Sequence, residues 1–251
     1  KNFEKLIKIL KKNTNIISIE KIYSPEIYSD NLPIVIISFD DGYKDFFEFV
    51  LPILKENNVP AHMNICPGLI ENKQIPWTQL INYFLSNKNK NLSELLKKYK
   101  IEFDENIDEL EFTKICNNII SLNYPNYINF IDELYKLKHH YGNLLMNWRE
   151  INECFNNKIL IGCHSMNHLN LNKEISKDRK YLETIKSKSI IEKNINNNID
   201  IFCFPNGIYD KNILYELKEN YKYLLLCGDK NTIISKKQNN YILPRINISK
   251  N

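Results

Sequence analysis

Pro33-Ile34-Val35-Ile36-Ile37-Ser38-Phe39-Asp40-Asp41-Gly42 opens on a proline, runs through a β-branched apolar stretch and stops at two carboxylates and a glycine. Ile34 to Phe39 therefore reads as a short buried strand that ends in a sharp turn. Beyond it, Phe46, Phe47, Val50, Leu51 and Leu54 recur at helical spacing between Lys44 and Asn57, despite Pro52. Val59 to Ile65 reads as the next strand. Strand, turn, helix and strand make a βαβ unit, whose right-handed crossover implies parallel strands.

Further along, the texture changes. From Trp77 to Met146, apolar residues recur at three and four (Leu92, Leu95, Leu96; Phe130, Leu134, Leu137) with Asn and Lys between them, which predicts helices and no strand. Strand-like runs return at Lys158–Cys163, Asp200–Phe204, Tyr223–Cys227 and Tyr241–Ile248, with helices expected at Ile175–Asn194 and Asn212–Asn220. The whole reads as an α/β chain: one domain over residues 1–251, a distorted (β/α) barrel or barrel-like sheet interrupted by a helical insertion over residues 77–146. In such a fold the site is expected at the C-terminal ends of the strands.

Composition narrows the function. With 43% hydrophobic residues the chain can bury a core, and with only 6 Gly and 9 Pro it is neither collagen-like nor a linker. A net charge of +4, spread over scattered lysines, gives no footprint for nucleic acid. Neither GxGxxG nor GxxxxGK[ST] occurs, so the common nucleotide sites have no support. The six cysteines form no CxxC pair, which suits reduced thiols and a cytoplasmic setting. No apolar run approaches a membrane span. Lys1 to Lys12, with Phe3, Leu6, Ile7 and Leu10 at helical spacing, is amphipathic rather than a secretory signal.

Four segments carry chemistry-bearing residues. Asp40-Asp41-Gly42 puts two adjacent carboxylates at a strand end; taken alone, it is equally a polar turn capping the next helix. His164-Ser165-Met166-Asn167-His168 also follows a strand end, and imidazoles at i and i+4 can converge on one ion if the segment turns. In a parallel sheet both strand ends lie on one edge, where a His₂–carboxylate set with open positions has the composition of a catalytic metal site. Pro205-Asn206-Gly207 after Phe202-Cys203-Phe204 is by itself only a turn. Arg245, between Pro244 and Ile246, is an arginine that needs a carboxylate partner.

Together and in this order, these segments resemble the polysaccharide deacetylases, the NodB-homology carbohydrate esterases of family 4. Ser38 to Gly42 matches the family motif [ST]FDDG, and His164 to His168 matches H[ST]xxH. The third motif, RxPYG, is met only at Pro205 and Gly207, since Cys203 stands in place of the Arg and Asn206 in place of the Tyr. The flanks at Pro52–Ile65 and Trp148–Gly162 agree with the family as well, so the resemblance covers about 33–68 and 148–248 and leaves the insertion aside.

The resemblance implies a hydrolase that removes an N-acetyl or other N-acyl group from an amino sugar of a polysaccharide or its precursor. Asp40 would be the general base that activates water, and Asp41, His164 and His168 the ligands of one divalent metal ion, Zn²⁺ first, with Co²⁺, Ni²⁺ or Mn²⁺ as alternatives. The backbone N–H of Asn206, in the Pro205–Gly207 turn, would stabilise the oxyanion. The partner is a carbohydrate.

One departure stands out. The family's C-terminal Leu-x-His acid has no counterpart, because no His follows His168. Arg245 cannot readily donate a proton and is expected to orient Asp40 or the substrate instead; the acid is then Asp40 itself or His62. Two further readings remain on these residues, a weakly active or inactive glycan-binding homologue and a deformylase on the same scaffold. A cytoplasmic enzyme would act on a nucleotide- or lipid-linked sugar. The insertion, with Tyr83, Phe84, Tyr124, Tyr127, Phe130 and Tyr135, either packs its own helices or lends rings to a sugar.

Overall fold

The computed structural model describes residues 2–28, 32–104, 107–137, 142–172, 174–227 and 242–248. Lys1 and Tyr241, with which two expected elements began, lie outside them. The amphipathic N-terminal segment is helix α1 (Asn2–Asn13), with Ile7 buried. Strand β1 (Asn15–Ile16) pairs in parallel with β2 (Ile34–Val35), and β3 (Ser38–Asp41) begins three residues later.

The apolar run expected as one strand is thus divided between two sheets. Its first half meets the chain leaving α1, where the Asn15 and Ile17 N–H groups donate to the Pro33 and Val35 carbonyls. Its second half pairs with β4 (Ala61–Ile65), and the change of partner falls at Ile36–Ile37.

Between β3 and β4 the chain makes a π-helical turn at Phe46–Val50 and continues into α2 (Leu51–Asn57). Pro52 falls where the π-helical turn passes into α2, a break in the i→i−4 ladder of the kind at which a proline is accommodated. After β4 come α3 (Pro67–Glu71) and the insertion helices α4 (Trp77–Ser86), α5 (Lys90–Lys98), α6 (Glu109–Ile120) and α7 (Tyr124–Leu134). Three of these start at side-chain caps, with Asn89, Asp108 and Asn123 accepting from Leu92, Glu111 and Asn126.

Then follow α8 (Trp148–Asn156), opened by a capping box between Asn147 and Glu150, and β5 (Ile159–Cys163). Helix α9 (Lys177–Tyr181) passes through a π-helical turn, Leu182–Lys186, into α10 (Ser187–Ile195). Strand β6 (Ile201–Cys203), helix α11 (Lys211–Leu217), β7 (Tyr223–Cys227) and β8 (Ile242–Arg245) complete the order.

Strands β3 to β8 form one six-stranded, all-parallel sheet in sequence order, curled into a half-barrel with helices around it. Both faces are covered, as a parallel sheet requires. Ile159, Ile161, Phe202, Leu224 and Leu226 pack outward into a core shared with the helices, the insertion's Trp77, Phe84 and Phe130 included. Ile201, Cys203, Tyr223, Leu225 and Leu243 pack inward with Ile19 and Ile22 from the N-terminal segment. Phe84, Tyr124, Tyr127 and Phe130 are buried, so helix packing accounts for most of the insertion's aromatic content.

The insertion sits at the C-terminal edge of the sheet. It departs after β4, and its last residues return beside the turn that follows β3. There the Lys44 N–H donates to Leu144 and the Met146 N–H to Gly42.

Register on the inward face is tight at one point. Asn64 of β4 lies opposite Gly162 of β5. A Cβ at Gly162 would fall 2.3 Å from Asn64 Oδ1 and 3.0 Å from Ile201 side-chain atoms. Gly162→Ala is expected to lower the unfolding free energy by about 1–3 kcal/mol, the usual scale of overpacking. In urea unfolding of the metal-free chain, part of that loss should disappear in the Gly162→Ala/Asn64→Ala double variant. A neutral single variant would contradict the register.

Candidate active site

Strand alternation assembles the site. Ser38 and Asp40 of β3, His62 and Asn64 of β4, Gly162 of β5, Cys203 of β6 and Arg245 of β8 occupy inward positions of the sheet, by the parallel register. Asp40 meets Arg245 directly. Nη1 donates to Oδ1 at 2.9 Å and Nη2 to Oδ2 at 2.6 Å, a bidentate fork between strands that do not pair with each other. Asn64 Nδ2 donates to the same Oδ1 at 2.8 Å, and Arg245 Nη1 also reaches Ser38 Oγ at 3.3 Å. Burial alone would push the Asp40 carboxyl up. The His164 imidazole, the Arg245 guanidinium and the Asn64 amide outweigh it and hold the group well below the usual carboxylate range.

Asp41 ends β3 in the left-handed region, with φ 71°, a conformation rare for a residue with a Cβ and typical of functional turns. Its Oδ1 lies 3.7 Å from His164 Nε2 and 3.5 Å from His168 Nε2. One ligand atom from each of the three residues falls within 4.8 Å of the others. Two ligands about 2.0–2.1 Å from a tetrahedral ion are separated by about 3.3 Å, and the two carboxylate–imidazole separations lie close to that. Asp40, His164 and Cys203 form a second such group, in which Asp40 Oδ2 is 4.0 Å from both His164 Nε2 and Cys203 Sγ.

The imidazoles are set by what lies behind them. His164 Nδ1 is 2.8 Å from the Cys203 carbonyl, which can only accept, so Nδ1 carries a proton and Nε2 is the ring atom that faces the carboxylates. Burial, then the neighbouring His164, pushes His168 down to about 3, which keeps it neutral as a ligand must be. The start of their turn is held from β4 and the residue that follows it. His164 donates its N–H to Ile65 O, and the Cys66 thiol donates to His164 O at 3.0 Å.

The other expected residues divide. The Pro205–Gly207 turn follows β6 at the same sheet edge; Asn206, at φ 54°, is exposed and donates from Nδ2 to Asn170 Oδ1 at 2.8 Å. His62 is buried on the inward face in register with Ser38, and neither ring nitrogen has a hydrogen-bond partner. Burial, then the Arg245 charge, lowers it to about 4, so at neutral pH it is an uncharged imidazole and not a general acid.

Three residues packed around the site escaped the sequence reading. Asn64 had a signal, because His62 and Asn64 make a polar i, i+2 pair in an otherwise apolar buried strand. Gly162 had none apart from its being a glycine in a strand. Glu183 lies one turn ahead of Ser187, in line with buried Ile191 and Ile195, where a carboxylate must find partners.

Comparison with known proteins fits this geometry. The family model described as polysaccharide deacetylase matches residues 29–223. Among curated proteins, none matches this chain. The fold is similar to Streptococcus pyogenes deacetylase PplD, solved in complex with acetate (TM-score 0.63, 18% identity, covering 98% of this chain and 79% of that one). It is similar also to a de-N-acetylase from Aggregatibacter actinomycetemcomitans (TM-score 0.58, 16% identity, 96% and 81% covered). IcaB from Ammonifex degensii gives a TM-score of 0.60 at 10% identity, with 99% and 83% covered. At such identities these likenesses speak for the fold alone; the family match spans most of the chain. With the paired carboxylates at the end of β3 and the two histidines just after β5, this chain belongs to the polysaccharide deacetylases, enzymes that deacetylate polysaccharides.

Proposed function

We propose that this chain is a metal-dependent hydrolase that removes an N-acetyl group from an amino sugar of a polysaccharide or its precursor. The observation that carries the reading is the convergence of Asp41, His164 and His168 beside a carboxylate already engaged by an arginine. Both Asp40 oxygens are on Arg245, whose charge opposes a cation on the same carboxylate, so the ligand role falls to Asp41 and the base role to Asp40. A divalent ion held by Asp41, His164 and His168, zinc foremost, would supply Lewis acidity and lower the pKa of bound water.

The chain's own part is the handling of protons. Asp40, kept ionised and in plane by Arg245 and Asn64, accepts the proton of the attacking water as its oxygen bonds to the acetyl carbon. The backbone N–H of Asn206 faces the developing oxyanion in this reading. When the C–N bond breaks, Asp40 returns the proton to the departing amine and acetate leaves. Arg245 stays charged throughout. The acetate bound to the similar streptococcal deacetylase agrees with that product. Deformylation and glycan binding without turnover are the competing readings, and they separate by product.

Asp40→Asn is expected to leave metal binding nearly intact and to lower turnover by at least about a hundredfold, the scale of a general base. Asp41→Asn and His164→Ala should instead lower metal occupancy. Acetate release from N-acetylated chitooligosaccharide against formate release from formylated sugar, with metal analysis of each variant, tests both points. Metal lost in Asp40→Asn and kept in Asp41→Asn would exchange the two roles.

The fork sets the pH dependence. Asp40 is held below the ordinary carboxylate range, so in the native enzyme its protonation should not limit kcat/KM through mildly acid pH. Without the guanidinium, burial pushes the carboxyl up. The acid limb of Arg245→Gln should therefore move to higher pH. Arg245→Lys keeps the charge but not the planar fork, and its turnover should fall toward the roughly hundredfold scale of a misplaced catalytic group. An unmoved acid limb in Arg245→Gln would count against Asp40 as the base.

A further inference from the structure

Glu183 is fully buried in the π-helical turn between α9 and α10, and the chemistry above makes no use of it. Its Oε2 accepts from the backbone N–H groups of Met166 at 2.9 Å and Asn167 at 3.0 Å. Its Oε1 accepts from Arg179 Nε at 3.0 Å and more distantly from Asn167 Nδ2 at 3.4 Å. Met166 and Asn167 are the crest of the turn that runs from His164 to His168.

That turn is not one the chain would adopt unaided. Ser165 has φ 63° and His168 φ 57°, both left-handed and neither a glycine. Such backbone persists only where its surroundings over-determine it. On one side Gly68 donates its N–H to Met166 O at 2.9 Å, packed so closely that a Cβ there would lie 2.3 Å from Asn167 Oδ1. Inside the turn, the Leu169 N–H donates to Ser165 Oγ at 3.2 Å. Glu183 supplies the remaining side. Two consecutive N–H groups converge on one of its oxygens, and a carboxylate oxygen can take both in charge-assisted bonds. Without it the Met166 amide would be buried and unsatisfied, and the Asn167 amide would lose its acceptor.

We propose that Glu183 is the positioning residue of the metal centre, gripping the crest of the His164–His168 turn so that both Nε2 atoms face a single ion. The proposal rests on the metal-site reading given above. It assigns Glu183 no contact with substrate or with the ion. Removing an outer partner of a metal ligand typically costs about 10–100-fold in metal affinity, which sets the expected scale.

The test is zinc affinity of the 1–251 chain, measured by chelator competition, with the visible spectrum of the cobalt-substituted protein as a second readout. Urea unfolding of each metal-free variant controls for global stability. Glu183→Ala is expected to weaken zinc binding at least about tenfold and to change the cobalt spectrum. Glu183→Gln, whose amide oxygen still accepts from both N–H groups, should bind within about threefold of the native protein. Should the Ala variant not fold, Glu183→Asp draws the oxygen back by one methylene and should weaken binding with the charge kept. Arg179→Met leaves the grip intact and should bind nearly as the native chain does.

Native-like affinity and spectrum in Glu183→Ala, or an equal loss in Glu183→Gln and Glu183→Ala, would overturn the proposal. Asp41→Asn is the control that separates the two readings. If it binds zinc as the native chain does, the metal site itself is wrong. If it loses zinc while Glu183→Ala retains it, the role of Glu183 alone falls.

Discussion

A guanidinium on the last strand grips a carboxylate on the first strand of the large sheet, and the arrangement of the site depends on that grip. The sheet is open, with β3 and β8 as its two edges. Curling brings the C-terminal ends of those edges within reach, and the Arg245–Asp40 fork joins them through side chains instead of a backbone ladder. Arg245 is 11% and Asp40 24% exposed, so the pair is largely removed from water. Such a pair is weak evidence for stability, since desolvation offsets most of its attraction, but removing one partner leaves a charge stranded. What the fork supplies is geometry: a planar donor pair fixes the carboxylate plane, with Asn64 fixing it from a second direction.

The two adjacent aspartates can then serve different ends. In a strand, neighbouring side chains point to opposite faces, and the left-handed Asp41 adds a turn to that divergence. Asp40 goes inward to a guanidinium and an amide; Asp41 goes to two imidazoles. Like charges that would repel at one spot are separated by the pleat and given separate counter-groups. His164 stands between them, 4.0 Å from one carboxylate and 3.7 Å from the other, with its tautomer fixed by the Cys203 carbonyl.

Much of this was legible in the sequence, and the parts that were not share a cause. The βαβ opening, the strand at Tyr223–Cys227 and the helices between Trp77 and Leu134 follow from period and length, and the structure has them. The division of Ile34–Phe39 was not legible. A β-branched run announces extended backbone but not which neighbour will take its hydrogen bonds, and here the neighbour changes midway. The fork was legible in outline, because an arginine flanked by apolar residues near a strand end usually pairs with a carboxylate. Asn64, Gly162 and Glu183 were missed because their significance lies in contacts across 24, 98 and 16 residues that no local pattern encodes.

The departures from the family's third motif bear on whether the site is spent or merely rewired. Cys203 stands where that motif carries an arginine, and its sulfur lies 4.0 Å from Asp40 Oδ2. Position 203 therefore faces the same carboxylate that Arg245 holds. A guanidinium there and another at 245 would compete for two oxygens and repel each other in a buried space. One suffices, and here it comes from β8. The small, buried thiol leaves room for it, and the Cys203 carbonyl still orients His164. The carboxylate is therefore not left bare by the thiol at 203, because both terminal guanidinium nitrogens of Arg245 hold it.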